Sequence, residues 1–299
     1  MQQLQSAFIK LLIRFFALLP LPLVQAIGAF SGRIAWLLKA DIAKYTALNL
    51  AACFPEMSDN EREVLGKRSM EQTFISMFEV GKSWILPVSK TLESIKNVKD
   101  SANINSLLER GKGVIVIVPH LGNWEVLGVY LSQQYPLHVL YQPPTLTGME
   151  NFIVAGRTRA GTQIYPTNKS GVMAIYKALR KNELVAILPD QEPPTEGGLI
   201  SPFFGKDALT MTLVSKLVHK ADAKAVCAYA RRLEKGQGYE IIIKSVHEEL
   251  YDKDLQDSVN ALNKTIEESI RENPEQYQWE YKRFRQGPAG KTRFYRSPE

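Results

Sequence analysis

The sequence predicts an α/β protein with a mixed central sheet flanked by helices and preceded by an apolar N-terminal segment. From residue 114 onward, short runs of aliphatic and β-branched residues alternate with longer segments of helical periodicity. The chain has 299 residues, of which 45% are hydrophobic, enough for a sizeable core. The first 40 residues are rich in Leu, Ile and Phe.

The N-terminal segment favours a membrane anchor. From Phe15 to Gly32, 18 residues carry no charge, and apolar residues also dominate the preceding stretch. Pro20 and Pro22 interrupt a simple spanning helix, so a short span or a kinked helix in the membrane interface fits. A buried helix hairpin is the alternative. We expect residues 1–40 to form the anchor and residues 41–299 a single α/β domain.

Helical signals follow the anchor. Ser58, with Glu61 three residues later, has the pattern of a capping box. Apolar residues at helical spacing then predict a helix from about residue 59 to 83. Residues 88–112 are expected to hold a short strand and a helix at 103–110, which Gly111 ends.

The rest of the chain alternates between the two kinds of element. The predicted strands are 114–118, 137–141, 184–188, 224–231 and 238–245, with a short one near 162–165, and the predicted helices are 123–133, 149–160, 170–181, 209–221 and 255–272. Strands separated by helices indicate an α/β fold. The body contains no internal repeat and no long linker.

Charge and cysteine content narrow the function classes. The net charge of +6 is unevenly distributed: residues 1–44 hold five cations against one Asp, residues 276–299 hold six against two Glu, and the residues between sum to −2. Basic ends predict an anionic ligand or surface, either nucleic acid or acidic lipid, and the apolar N-terminal segment favours lipid. Two distant cysteines and four histidines without ligand spacing predict neither a disulfide framework nor a metal site.

Residues 114–125 carry the strongest functional signal. A buried strand is ended by Pro119 and leads to His120 and, five residues on, Glu125. Residues five apart on one helix point about 140° apart, so the two converge only if His120 lies in the turn before the helix. A strand end followed by a turn and a helix is a common active-site position in open α/β sheets. We predict a catalytic pair, with a structural histidine as the alternative.

Further candidates follow the neighbouring strands. Arg157 and Arg159 are suited to bidentate binding of a phosphate, although exposed arginines are often only solvated. Asp190 and Gln191 follow the strand 184–188 and would emerge at the same sheet edge as His120 if the strands are parallel. The aromatic and basic segment 278–285 suits a membrane-side element better than a single-stranded nucleic acid site.

The block from Gly111 to Glu125 resembles the first block of the bacterial lipid A biosynthesis acyltransferases, the lauroyl/myristoyl group, and is the glutamate form of the His-x4-Asp motif of glycerolipid acyltransferases. Other segments fall in the family's order and spacing, namely Asn49-Leu50, Cys53-Phe54-Pro55, 157–161, 188–191, 202–205, Arg231, 274–277, Trp279 and Arg283-Phe284. The resemblance covers nearly the whole chain. One departure is Tyr141-Gln142-Pro143, where relatives usually have Tyr-Arg-Pro, and it leaves donor or acceptor preference open.

The resemblance implies a glycerolipid acyltransferase-like fold and a secondary acylation. A fatty acyl group would move from acyl carrier protein to a hydroxyl of an acyl chain on a Kdo-linked lipid A precursor. It further implies an inner-membrane enzyme with its catalytic domain on the cytoplasmic side. We expect contact with inner-membrane lipid, and no cofactor, metal or nucleic acid.

The residues suit this chemistry. His120 would take the hydroxyl proton as general base, and Glu125 would hold the ring in the right tautomer. Backbone amides at Gly122 and Asn123 would stabilise the oxyanion. Substrate-binding residues are expected to be Asn123, Arg157, Arg159, Asp190, Gln191 and Arg231. The alternatives are a thioesterase or lipid hydrolase using the same pair on water, and a non-catalytic binding protein.

Overall fold

A seven-stranded mixed sheet forms the centre of the computed structural model, which describes residues 2–100, 102–146 and 148–295. The strands are β1 (Ile95–Asp100), β2 (Val114–Ile117), β3 (Leu137–Tyr141), β4 (Gln163–Pro166), β5 (Leu184–Ile187), β6 (Gly198–Phe203), β7 (Lys206–Met211), β8 (Lys224–Arg232), β9 (Tyr239–Ser245), β10 (Gln286–Gly287) and β11 (Gly290–Lys291). The central sheet has the order β1-β9-β8-β2-β5-β3-β4. The predicted α/β class with a mixed sheet is confirmed.

Helices cover the sheet and form the N-terminal part. They are α1 (Gln2–Leu18), α2 (Leu21–Leu37), α3 (Asp41–Cys53), α4 (Asp59–Ile85), α5 (Val88–Glu93), α6 (Ile104–Glu109), α7 (Trp124–Gln134), α8 (Glu150–Thr158), α9 (Lys169–Arg180), α10 (Leu213–Ala221) and α11 (Leu255–Glu272). The predicted capping box of Ser58 and Glu61 begins α4.

Strand β2 lies in the middle of the sheet because every side chain in it is apolar. Its four residues are all buried, as a strand needs when both faces of a sheet are covered. It runs parallel to β5 and β8, and β5 in turn runs parallel to β3. The carboxyl ends of β2, β5 and β3 therefore lie side by side at one edge.

The predicted helix over 209–221 is wrong in its first part. Residues 206–211 form β7, which pairs antiparallel with β6, and the helix begins only at Leu213. Phe204 and Gly205 both have positive φ between these strands, the conformation that a two-residue hairpin turn requires. The apolar residues near 209 are compatible with a helix or a strand. They form a strand because they pair with residues 198–203.

The N-terminal segment forms two helices that break at Pro20, which precedes α2. Helix α2 packs so closely against α4 that a Cβ at Gly32 would lie 2.4 Å from the Met70 carbonyl oxygen. The outer faces of α1 and α2 expose large apolar side chains at Leu4, Phe8, Leu11, Leu12, Phe15, Leu18, Leu23, Phe30, Ile34 and Leu37.

A membrane-spanning helix is not apparent in the described part of the chain. No single helix there is both long and apolar enough to cross a bilayer. Helices α2 and α3 pass the test of length and composition only as a pair, with an 81° bend between them. The N-terminal anchor thus stays a prediction.

The aromatic and basic segment near the C-terminus packs into the protein. Trp279 is 2% exposed and Arg283 is 3% exposed. The Arg283 guanidinium donates to the Leu209 carbonyl at 2.6 Å and to the Thr210 hydroxyl at 2.8 Å. This segment therefore joins the core to the β6–β7 hairpin, and its expected role as a membrane-side element lacks support.

Candidate active site

Three polar residues lie at the edge of the sheet where the parallel strands β2, β5 and β3 end. His120 follows β2, Asp190 follows β5, and Tyr141 is the last residue of β3. The parallel pairing of β2 with β5 confirms the condition under which His120 and Asp190 were expected at the same edge. Ligands of open α/β sheets bind at such carboxyl ends.

The turn that carries His120 is tightly fixed. Gly122 has φ +67, and a Cβ there would lie 2.1 Å from the Ala230 carbonyl oxygen, so only glycine fits. The Gly122 amide donates to the Gln276 carbonyl at 3.0 Å, and the His120 carbonyl accepts from the Gln278 amide at 3.1 Å. The next residue caps α7.

His120 is held by Asp190. Its Nδ1 lies 2.8 Å from Asp190 Oδ1, and its backbone N–H donates to Oδ2 at 2.8 Å. Asp190 is fully buried. Burial raises the pKa of the Asp190 carboxyl, but the facing imidazole and the His120 amide lower it more, so the net shift is downward. An ionised Asp190 fixes the Nδ1–H tautomer and leaves Nε2 for a substrate proton.

This contact differs from two expectations drawn from the sequence. Asp190 was expected to bind substrate, but its side chain has no exposed surface and both oxygens are bonded to His120. Glu125 was expected to hold the imidazole, and the structure places Asp190 on Nδ1 in that role.

Glu125 is paired with Arg157 instead. Its Oε1 accepts from Nη2 at 2.6 Å and from Nε at 3.1 Å, and its Oε2 accepts from Nε at 3.3 Å. Burial lowers the pKa of the Arg157 guanidinium, and Glu125 outweighs it, so the net shift is upward. Because the carboxylate occupies Nε and Nη2, these nitrogens are not free to grip a phosphate.

Two aromatic rings flank Arg157. The guanidinium carbon lies 5.8 Å from the ring centre of Trp84 and 5.9 Å from that of Tyr141. Helix α8 approaches Trp84 so closely that a Cβ at Gly156 would lie 2.7 Å from the tryptophan side chain.

The other predicted binding residues are engaged within the protein. The Asn123 Oδ1 caps α7 by accepting from the Val126 amide, and its Nδ2 donates to Glu79 and to the Tyr239 hydroxyl. The remaining side-chain contacts are Arg159 with the Leu86 carbonyl, Gln191 with Gln278, and Arg231 with Glu240. The predicted oxyanion donors, the Gly122 and Asn123 amides, donate to Gln276 and Ala230 carbonyls.

Sequence reasoning missed a buried ionic cluster behind this turn. Glu79, 1% exposed, accepts from Arg232 Nε and Nη2 at 2.8–3.1 Å, from Gln25 at 2.7 Å and from Asn123 at 3.0 Å. Its members are separated by up to 207 positions in the chain. No local sequence pattern predicts such a cluster. Read from the sequence alone, Glu79 in a helix and Arg232 at a strand end would be expected to face solvent.

Comparison with a family model and with individual proteins points to the same family. Residues 3–286 match the family model for bacterial lipid A biosynthesis acyltransferases. The chain is 26% identical over 276 residues to a lipid A biosynthesis lauroyltransferase of Escherichia coli K12, covering 91% of this chain and 88% of that protein. It is 27% identical to the palmitoleoyltransferase of the same strain, with 93% and 90% covered, and 22% identical to its myristoyltransferase, with 92% and 84% covered.

Proposed function

The chain belongs to the family of bacterial lipid A biosynthesis acyltransferases, and on that premise we propose that it moves a fatty acyl group from acyl carrier protein to a hydroxyacyl chain of a Kdo-linked lipid A precursor. The protein is an acyltransferase of lipid A biosynthesis. The observation that carries the mechanism is the His120–Asp190 contact at the end of β2.

His120 acts as the general base. A lipid hydroxyl has a pKa far above 7, so attack on a thioester requires that its proton be removed. The proton passes to His120 Nε2 while the hydroxyl oxygen bonds to the thioester carbonyl carbon. The C–S bond then breaks, and the imidazolium returns the proton to the departing thiolate. The acceptor supplies the oxygen, so the enzyme needs no nucleophilic Ser or Cys.

Asp190 makes His120 an effective base. Its buried carboxylate orients the ring and stabilises the imidazolium that forms during attack. The same carboxylate bonds the His120 backbone amide, so one side chain fixes both the ring and the turn that carries it. We therefore replace the predicted His120–Glu125 base by a His120–Asp190 pair.

Glu125 and Arg157 act as a second unit of the same site. Their bidentate contact places an almost neutral, rigid group at the start of α7, between the rings of Trp84 and Tyr141. In the proposed reaction this unit shapes the acceptor side of the cleft.

We place the enzyme at the inner membrane with residues 41–299 as the catalytic domain on the cytoplasmic side, where the carrier protein is found. The exposed apolar side chains of α1 and α2 support a contact of residues 1–40 with lipid. Basic residues of the same segment, among them Lys10, Arg14 and Arg33, suit anionic headgroups.

The test is a transfer assay with purified protein, labelled acyl carrier thioester and a Kdo-linked lipid A precursor. The wild type is expected to form an acylated precursor, detected by mass spectrometry, and His120→Ala is expected to lose this product. Free fatty acid as the sole product would support the hydrolase alternative, and full activity of His120→Ala would refute the assignment of the base.

A further inference from the structure

Two buried hydrogen-bond donors beside the Glu125–Arg157 pair have no partner within the described part of the protein. They are the hydroxyl of Tyr141 and Nε1 of Trp84. Tyr141 is 7% exposed, and a polar group buried without a partner costs free energy. Such groups in a native structure indicate a ligand or a solvent molecule that completes their bonding.

Both donors are rigidly placed. Tyr141 ends β3, which is hydrogen-bonded to β4 and β5. Trp84 packs edge-on against Phe152 of α8, with ring centres 6.1 Å apart, and the backbone of α8 at Gly156 lies directly against its side chain. Burial and the nearby Glu150 raise the pKa of the Tyr141 hydroxyl and Arg157 opposes them, with a net shift upward. The hydroxyl is therefore protonated near neutral pH and available to donate.

The charge balance around these two donors favours an uncharged ligand. Arg157 is the cation between the two rings, and the carboxylate of Glu125 compensates its charge through a bidentate contact. A phosphate held by these donors would lie beside that carboxylate, at an unfavourable electrostatic cost, because Glu125 already compensates the charge of Arg157. A carbonyl or hydroxyl oxygen needs only neutral donors, which Tyr141 and Trp84 provide.

Tyr141 ends a strand that lies two positions in the sheet away from the strand leading to His120. β2, which leads to His120, and β3, which ends at Tyr141, have β5 between them, and two strand spacings amount to about 10 Å. A group bound there belongs to a part of the acceptor away from the attacking hydroxyl. Helix α1 lies on the outer side: Arg14 stands over Phe152, 5.2 Å from its ring centre. Through Phe152, Trp84 thus lies near α1, whose exposed apolar side chains suit a lipid.

We propose that Tyr141 and Trp84 bind an uncharged oxygen of the acceptor lipid, the carbonyl or hydroxyl of an acyl linkage that is not being acylated, and so help to select the acceptor. This inference rests on the proposed function and assigns substrate recognition to residues outside the His120–Asp190 pair.

The test compares Tyr141→Phe with the wild type. The change removes only the hydroxyl, and the control Tyr135→Phe removes a hydroxyl that donates to Asn105 at the surface. Two probes are titrated calorimetrically: a detergent-dispersed hydroxyacyl amide of glucosamine without phosphate, and glucosamine 1-phosphate without an acyl chain. Acceptor KM and kcat are measured in parallel.

We expect Tyr141→Phe to raise the Kd of the acyl amide and the acceptor KM by about 2- to 12-fold, the usual value of one neutral hydrogen bond, with kcat nearly unchanged. Its melting temperature should not fall, because the hydroxyl has no partner in the free protein. Trp84→Phe should weaken the same probe, and Tyr135→Phe should leave both constants unchanged.

Three results would overturn the inference: unchanged Kd and KM in Tyr141→Phe, a loss of kcat at constant KM, or a selective loss of glucosamine 1-phosphate binding. If the wild type binds the acyl amide but transfers no acyl group, the proposed function fails, while the Kd comparison still decides the role of Tyr141.

Discussion

At the scale of single residues, the site divides its two carboxylates between different partners. Glu125, the carboxylate that follows His120 in the motif, bonds Arg157. Asp190, 70 positions after His120, bonds the imidazole instead. Spacing along the chain suggested the opposite arrangement. Three-dimensional proximity follows from the parallel pairing of β2 with β5, which places the residues after both strands at one edge.

Replacing Glu125 tests the second pair. Glu125→Gln leaves the partly buried Arg157 guanidinium without a compensating charge, so we expect transfer to fall on the order of a hundredfold with the fold intact. Steady-state rates and circular dichroism of the purified variant would show this. Glu63→Gln, a change at an exposed position near the start of α4, serves as the control. Turnover within twofold of the wild type would contradict an active role for Glu125.

Both cysteines should be inert. Cys53 and Cys227 are buried, and burial raises the pKa of the Cys227 thiol to about 12. Since the thiolate is the reactive form, only about one thiol in ten thousand is ionised at pH 8. Iodoacetamide is expected to label neither residue in the native enzyme and to leave transfer unchanged, as peptide mass spectrometry and an activity assay would reveal. Rapid labelling accompanied by inactivation would point instead to a thiol in the mechanism.

At the scale of elements, the sequence predicts most helices and strands but assigns part of β7 to a helix and misses its hairpin partner β6. Continuous apolar runs mark β2 and β5, and the capping box marks the start of α4. The hairpin of β6 and β7 escapes because its apolar residues fit a helix equally well. Of the site, the position of His120 and the shared edge with Asp190 follow from the sequence, while the pairing of the side chains does not.

The exposed faces of α1 and α2 make the membrane contact testable without deleting either helix. Leu11, Phe15 and Phe30 are 63%, 53% and 62% exposed. Replacing all three by Ser should lower membrane partitioning at least a hundredfold, because burying each such side chain contributes about 1.5–3 kcal/mol. Flotation with liposomes containing anionic lipid measures this.

The matched control for the membrane experiment is Met173→Ser on α9, a helix of the catalytic body, where the side chain is 51% exposed. It should not alter partitioning. Flotation of the triple variant equal to that of the wild type would argue against lipid contact through these faces.

At the scale of the whole molecule, the buried Glu79–Arg232 cluster connects the N-terminal helices to the active-site turn. Glu79 on α4 bonds Gln25 on α2, Arg232 at the end of β8 and Asn123, which caps α7. A cluster of this kind contributes to specificity of packing when every member is satisfied. Through Gln25 the cluster ties α2 to α4 and to this turn.

Breaking the cluster should destabilise the whole protein. Arg232→Met leaves the buried Glu79 without its cation, for which we expect a loss of about 3–5 kcal/mol in the free energy of unfolding. Urea denaturation would measure it. Arg33→Met removes the half-exposed partner of Glu71 and should have a small effect. Equal stability of the two variants would show that the cluster contributes little.

The mechanism is tested most directly by the kcat of Asp190→Asn in the transfer of a labelled acyl group from acyl carrier protein to the Kdo-linked precursor. An asparagine keeps the shape of the side chain but neither stabilises the imidazolium nor enforces the Nδ1–H tautomer. We predict a fall in kcat on the order of 10²–10⁴ with the acceptor KM unchanged within about twofold. A kcat close to that of the wild type in a folded Asp190→Asn variant would contradict the assignment of His120 and Asp190 as the base of this acyltransferase.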